Sequence, residues 1–149
     1  IDADYYEHVD ADGLATGEKE AVEGTPFDFR IPAKIGKRVE VDHPQLKLGN
    51  GFDHHFFFTT DKNQVVLEDE ESGRRLTVST TLPGAQIYTA NYLDGRIGKN
   101  GEPYNARDAV CIETQNLPDA IHIGKNPSTI LRKGETFDAQ TSYCLEVIK

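Results

Sequence analysis

Cysteine is scarce in this chain, basic residues are outnumbered, and no long apolar run occurs. Of 149 residues two are cysteines, Cys111 and Cys144, far apart and each inside an apolar strand-like run. That is neither a disulfide framework nor the spacing of a zinc or redox motif, so the pattern predicts two buried thiols acting as small hydrophobes. Sixteen Lys and Arg stand against 25 Asp and Glu, a net charge of -9 and a pI near 4.9. Such a surface disfavours nucleic acid and anionic membranes as partners, yet does not repel a neutral polar small molecule. No stretch approaches the roughly eighteen apolar residues of a membrane span, and none resembles a signal peptide. With so little cysteine, this points to a cytoplasmic location. The histidines are scattered apart from His54 and His55, and adjacent strand residues face opposite ways, so that pair cannot chelate one metal from a single face. No metal and no cofactor is expected. There is no Gly-x-Ser-x-Gly elbow, and the glycines from Gly95 to Gly101 lack a following Lys-Ser/Thr and precede no helix, so they read as a β-connection rather than a phosphate loop.

What is present is globular and strand-rich. A 37% hydrophobic share beside 28% charged residues suits a folded domain, and the length suits one domain with a sizeable core. Ile1 to Val9 reads as a strand, and Asp10 to Gly17 as turn chemistry before a short charged strand through Val22. Pro26 and Pro32 limit any helix around Thr25 to Arg30. Ala33 to Val41 has room for one or two helical turns, and Gln45 to Asn50 reads as a loop. Phe52 to Thr60 is an aromatic-rich strand, which Asp61 to Asn63 would close into a hairpin with Gln64 to Asp69. Ser72-Gly73 turns into Arg74 to Thr81, and Ala85 to Tyr92 follows Pro83-Gly84. Asn91 to Tyr104 is too irregular for an element and reads as a long functional loop. A strand around Glu113, a loop to Pro127 and a closing hairpin of Thr129 to Lys133 with Thr141 to Ile148 complete the chain. Helical periodicity is nearly absent, and repeated short strands with turn signals predict an all-β fold, a sandwich or barrel.

Three polar residues stand out within strand contexts. Glu113 lies between Cys111 and Gln115 on one strand face, with Val110, Ile112 and Thr114 on the other. A glutamate there is either a solvated rim residue or a functional carboxylate suited to general-base work. Asp53 opens the aromatic strand and is either a turn cap or an acceptor for two hydroxyls of a polyol. Gln86 shares a face with Tyr88 and is either a core amide or part of an amide–aromatic pair of the kind that recognises sugars. The three converge only if their strands are neighbours. Asp53 and Glu113 would also make a glycosidase pair at a suitable separation.

An ordered set of motifs then resembles the aldose 1-epimerases, the galactose mutarotase family, over nearly the whole chain. They are Thr16-Gly-Glu18 with Gly24-Thr-Pro-Phe-Asp-Phe-Arg30, Gly51-Phe-Asp-His54, and Pro83-Gly-Ala-Gln-Ile-Tyr-Thr89 with Asn91-Tyr-Leu-Asp-Gly95. Cys111-Ile-Glu-Thr-Gln115 with Pro118-Asp119, and Ser128-Thr-Ile-Leu-Arg132 with Gly134-Glu-Thr136, complete the order. The resemblance implies a large antiparallel β-sandwich, of which residues 1–149 form the C-terminal part of a single domain. It also implies interconversion of the α and β anomers of free hexoses such as galactose and glucose. On the family pattern Glu113 is the general base, and Asp53 and Gln86 bind sugar hydroxyls. The family's acid is a histidine N-terminal to the matched region, and His8, His43, His54, His55 and His122 do not fall on its position. The acid would thus come from a preceding segment or a second chain, and the chain opens on Ile1 rather than methionine. Smaller departures are His55 where Asn is common, Ala90 where Gly is common, and Ala120-Ile-His-Ile123 in place of a Pro-Asn-His-Pro-like loop. Alternatives to an epimerase are a non-catalytic sugar-binding or structural β-module, and a fragment that exposes half a core.

Overall fold

A computed structural model describes residues 1–123 and 129–148. Pro127, and Ser128 of the last motif, lie outside the described residues. Ten strands dominate: β1 (Ala3–Val9), β2 (Ala15–Ala21), β3 (Asp53–Phe58), β4 (Val65–Asp69), β5 (Arg74–Thr80), β6 (Gly84–Tyr88), β7 (Asp94–Ile97), β8 (Pro103–Asn105), β9 (Cys111–Gln115) and β10 (Thr141–Val147). The short helices are α1 (Ile35–Val39), α2 (Pro44–Leu48) and α3 (Ala120–Ile123). All strand pairs are antiparallel, in a five-stranded sheet ordered β2-β1-β3-β6-β9, a three-stranded sheet β10-β5-β4, and the hairpin β7-β8. The all-β expectation holds.

The core covers one face of the five-stranded sheet. Alternation brings Tyr6, His54, Phe56, Ala85 and Ile87 to that face, and Val22, Phe27, Phe29, Leu46 and Phe52 from the β2–β3 connection close over it. Tyr6 stacks on Phe27 with ring centroids 3.8 Å apart, and Phe52 meets Phe27 edge-on at 5.2 Å. Burial of each large ring contributes roughly 1.5–3 kcal/mol.

Four expectations are corrected. Gln45 to Asn50 is not a loop: Pro44 starts α2 at its first turn, and the His43 ring nitrogen accepts the Gln45 N–H at 3.3 Å. A proline is tolerated there because its missing N–H would have no helical partner anyway. Asp61 to Asn63 does not close a β3–β4 hairpin, because β1 and β6 occupy both edges of β3 and β4 pairs with β5 in the other sheet. Asn91 to Tyr104 contains the β7–β8 hairpin, with Asn100 and Gly101 at positive φ making its tight end. Residues 129–133 form no strand, and β10 pairs with β5 over its whole length, from Thr141 opposite Thr80 to Val147 opposite Arg74. The thiols also differ from expectation. Both are free, but Cys111 is half-buried and Cys144 exposed, as are its neighbours along β10. Among the described residues no helix is long and apolar enough to cross a membrane.

Candidate active site

The strand order brings the three singled-out residues together. β6 lies between β3 and β9, and the register sets Gln86 directly between His55 and Glu113, with Asp53, Tyr88 and Cys111 in the adjacent row. All six side chains leave the sheet on the face opposite the aromatic core. Gln86 Nε2 donates to Asp53 Oδ1 at 2.9 Å, while Glu113 stands exposed beside it. The Cys111 thiol is pushed up by burial and then by the negative charges of Glu113 and Asp53. The charges of two carboxylates thus act on one point of this face, and one of the two, Asp53, is held by the Gln86 amide.

Local chemistry fixes each strand end. Asn91 donates to Gly49 O at 2.7 Å and Phe52 O at 2.9 Å, accepts from Thr89 Oγ1 at 2.7 Å, and accepts from Arg107. This cluster holds the turn ahead of Asp53 against the end of β6, where Thr89 N–H also donates to Phe52 O at 3.0 Å. The Asp53 N–H donates to His54 Nδ1 at 3.0 Å, and His54 Nε2 lies 3.2 Å from Gln45 Oε1. Burial lowers His54 to about 3, so its ring is neutral with Nδ1 as acceptor and Nε2–H as donor. On the opposite side of the strand His55 is 1% exposed and is lowered by burial to about 4. Its ring lies over Gly84, where a Cβ would come within 2.4 Å of His55 Nε2 and 2.2 Å of Phe56 O. Glycine is required there by contact rather than by φ.

Sequence reasoning did not single out Glu7, which is 1% exposed on the same face. Its Oε1 accepts the Gly17 N–H, and burial raises its carboxyl above the usual range, opposed by that hydrogen bond and by the positive charges of His8 and Lys19. The only available signal was an acid inside the apolar alternation of β1. A wider depression of about 390 Å³ lies elsewhere, lined by Glu40, Asp42, Lys47, Asn50 and Arg107 among others, and contains none of the three site residues. Among the described residues no three His, Cys, Asp or Glu side chains gather as a metal centre would need.

Comparison with known proteins identifies the family of the chain. The family profile for Aldose 1-epimerase matches residues 1–144. The chain is 42% identical to human galactose mutarotase over 151 residues, covering 99% of this chain and 43% of that protein. It is 32% identical to the Escherichia coli aldose 1-epimerase over 147 residues, covering 95% of this chain and 42% of that one. Among solved structures it resembles the aldose epimerase homologue from C. elegans, with a TM-score of 0.83 and 25% identity over all of this chain and 45% of that one. It also resembles the galactose 1-epimerase from Lactobacillus acidophilus, with a TM-score of 0.75 and 28% identity over 98% and 42%. The chain therefore spans under half the length of these relatives, and across that span it belongs to the aldose 1-epimerase family.

Proposed function

We propose that this chain supplies the base side of an aldose 1-epimerase site, as the C-terminal part of a larger β-sandwich. Glu113 takes the proton of the anomeric hydroxyl of a free hexose. The C1–ring-oxygen bond then breaks, and the ring oxygen takes a proton from a general acid. Rotation about C1–C2 and reclosure on the other face of the aldehyde deliver the other anomer, with protons returned in reverse. No electrons are transferred and no cofactor is needed. Asp53 accepts from sugar hydroxyls while Gln86, bonded to it, orders the carboxylate. The observation that carries this reading is the placement of Gln86 between Asp53 and Glu113 on one face. The names of the relatives, galactose mutarotase and aldose 1-epimerase, support a hexose such as galactose or glucose as substrate.

One observation favours binding without turnover as the second reading. Of the strand histidines, His54 points into the core and His8 bonds Glu20, so His55 alone shares the Glu113 face, and it is buried and neutral. Turnover then requires an acid from outside these residues, from a preceding segment or a second chain. Polarimetry on freshly dissolved α-galactose tests both readings. The wild-type chain, alone or with the segment that carries the acid, should speed the approach to equilibrium, and Glu113→Gln should lose at least a hundredfold of that rate. Undiminished turnover in the variant rejects Glu113 as the base. Saturable galactose binding with no acceleration in either setting selects the binding module.

A further inference from the structure

One row of polar residues crosses the whole five-stranded sheet. Lys19 pairs with Glu7, His55 with Gln86, and Gln86 with Glu113, and one step beyond the Tyr6–Phe56 pair sets Glu7 opposite His55. In the middle of this row Glu7 and His55 are buried and Gln86 is half-buried. Four atoms there, Glu7 Oε2, His55 Nδ1 and Nε2, and Gln86 Oε1, have no hydrogen-bond partner among the described residues. Buried polar atoms are almost always partnered in native proteins. A cavity of about 20 Å³ lies among them, lined by Glu7, His55 and Gln86 with Val9, Ala15 and Pro118. One water needs roughly 10–15 Å³ of such space and two to four polar neighbours.

Donor and acceptor arithmetic shows what the cavity takes. Gln86 Nε2 faces the Asp53 carboxylate, which only accepts, so the amide orientation is fixed and Oε1 turns inward. Glu7 Oε1 is already engaged by the Gly17 N–H, leaving Oε2 as a second inward acceptor. With the Glu7 carboxylate ionised, two acceptors share one small space, and a donor must stand between them. The neutral His55 ring has a single N–H to give. A water that accepts this N–H and donates to both Glu7 Oε2 and Gln86 Oε1 makes three hydrogen bonds, the usual complement of an internal water.

We propose that this cavity is the site of one structural water held by Glu7, His55 and Gln86, and that Glu7 and His55 are positioning residues that, through it, lock the Gln86 amide against Asp53 and beside Glu113. Its consequence for sugar binding rests on the function proposed above; the water site itself does not. Apolar residues at positions 7 and 55 would leave Gln86 free to rotate its amide away from Asp53.

Nuclear magnetic resonance of the 15N-labelled chain tests this without any sugar. The Gln86 side-chain amide signals are identified by their loss in Gln86→Glu. In wild type they should exchange slowly with solvent, and the His55 ring N–H should show a cross-peak to a long-lived water. In His55→Leu the water cross-peak should vanish and Gln86 amide exchange should quicken at least tenfold, while the β3, β6 and β9 backbone spectrum persists. His55→Asn, which keeps an N–H donor, should restore slow exchange. No long-lived water in wild type, or unchanged Gln86 exchange in folded His55→Leu, overturns the proposal. Should His55→Leu fail to fold, a high-resolution crystal structure of the wild-type chain decides. Density for one water within hydrogen-bond reach of all three side chains supports the site, and a direct His55–Gln86 bond that fills it refutes it. Galactose titration of the same samples is a separate arm, with a tenfold weaker Kd expected in His55→Leu. Absence of binding in wild type counts against the proposed function, and the water and exchange signals still decide this inference.

Discussion

His54 and His55 are consecutive, yet burial neutralises them on opposite sides of one strand. Their folded values, about 3 and about 4, lie below the ordinary 6.5. As the pH falls past 6.5 the unfolded chain takes up protons at both positions while the folded chain does not, so acid favours unfolding down to about 4 and 3. Each contributes a slope of about 1.4 kcal/mol per pH unit over its window. Glu7 acts in the opposite sense: its raised carboxyl keeps a proton that the unfolded chain releases near 4.5, which favours the folded state as the pH falls toward that value. Two histidines outweigh one carboxyl, so Tm should fall between pH 7 and pH 5 in thermal denaturation, and a Tm that rises on acidification would contradict this account. At this scale Asp53, Gln86 and Glu113 were legible in the sequence, because polar residues in apolar strands are conspicuous. Glu7 and His55 were not legible as a pair, because alternation shows which residues share a face but not how deeply another segment covers it.

Among the elements, α2 shows best how a short helix serves the sheet. Gln45 presents its amide to the end of β1, with Oε1 accepting the Val9 N–H at 2.8 Å and Nε2 donating to Val9 O at 3.0 Å. The side chain thereby stands in for a strand partner beyond the last β1–β3 pair, Tyr6 with Phe56, while Val9 keeps Ala15 of β2 opposite it. Gln45→Ala leaves both Val9 groups buried and unpaired and removes the acceptor facing His54. Urea denaturation should show a loss of about 2–4 kcal/mol, and Gln45→Glu, which sets a buried carboxylate against Val9 O, should lose at least as much. Sequence patterning placed β1, β3, β5 and β6 to within a few residues but misassigned two hairpins. Turn residues such as Asp61 to Asn63 report that the chain changes direction. They do not report which edge the next strand joins, and here Gln64 carries it to the second sheet by donating to Thr80 O at 2.9 Å and accepting the Thr80 N–H at 3.0 Å.

For the molecule as a whole, the uneven cover of its two sheets matters most. The five-stranded sheet has its aromatic layer, but on β10 Tyr143, Leu145 and Val147 are 54%, 80% and 65% exposed, along an edge with no second strand partner among the described residues. An apolar edge strand is a template for pairing with other chains. Leu145→Lys should therefore raise the protein concentration at which light scattering appears, while shifting unfolding stability by no more than about 0.5 kcal/mol, as expected for an exposed position. A large loss of stability in that variant would mean that Leu145 is covered in solution. The sequence by itself determined the all-β class, the acidic surface and the family resemblance, and it singled out Asp53, Gln86 and Glu113 as candidates, because these follow from composition, alternation and motif order. Only the tertiary structure decided that β6 lies between β3 and β9. That order makes Asp53, Gln86 and Glu113 neighbours and puts Glu7 and His55 behind them, because strand pairing is a long-range choice that local periodicity does not encode.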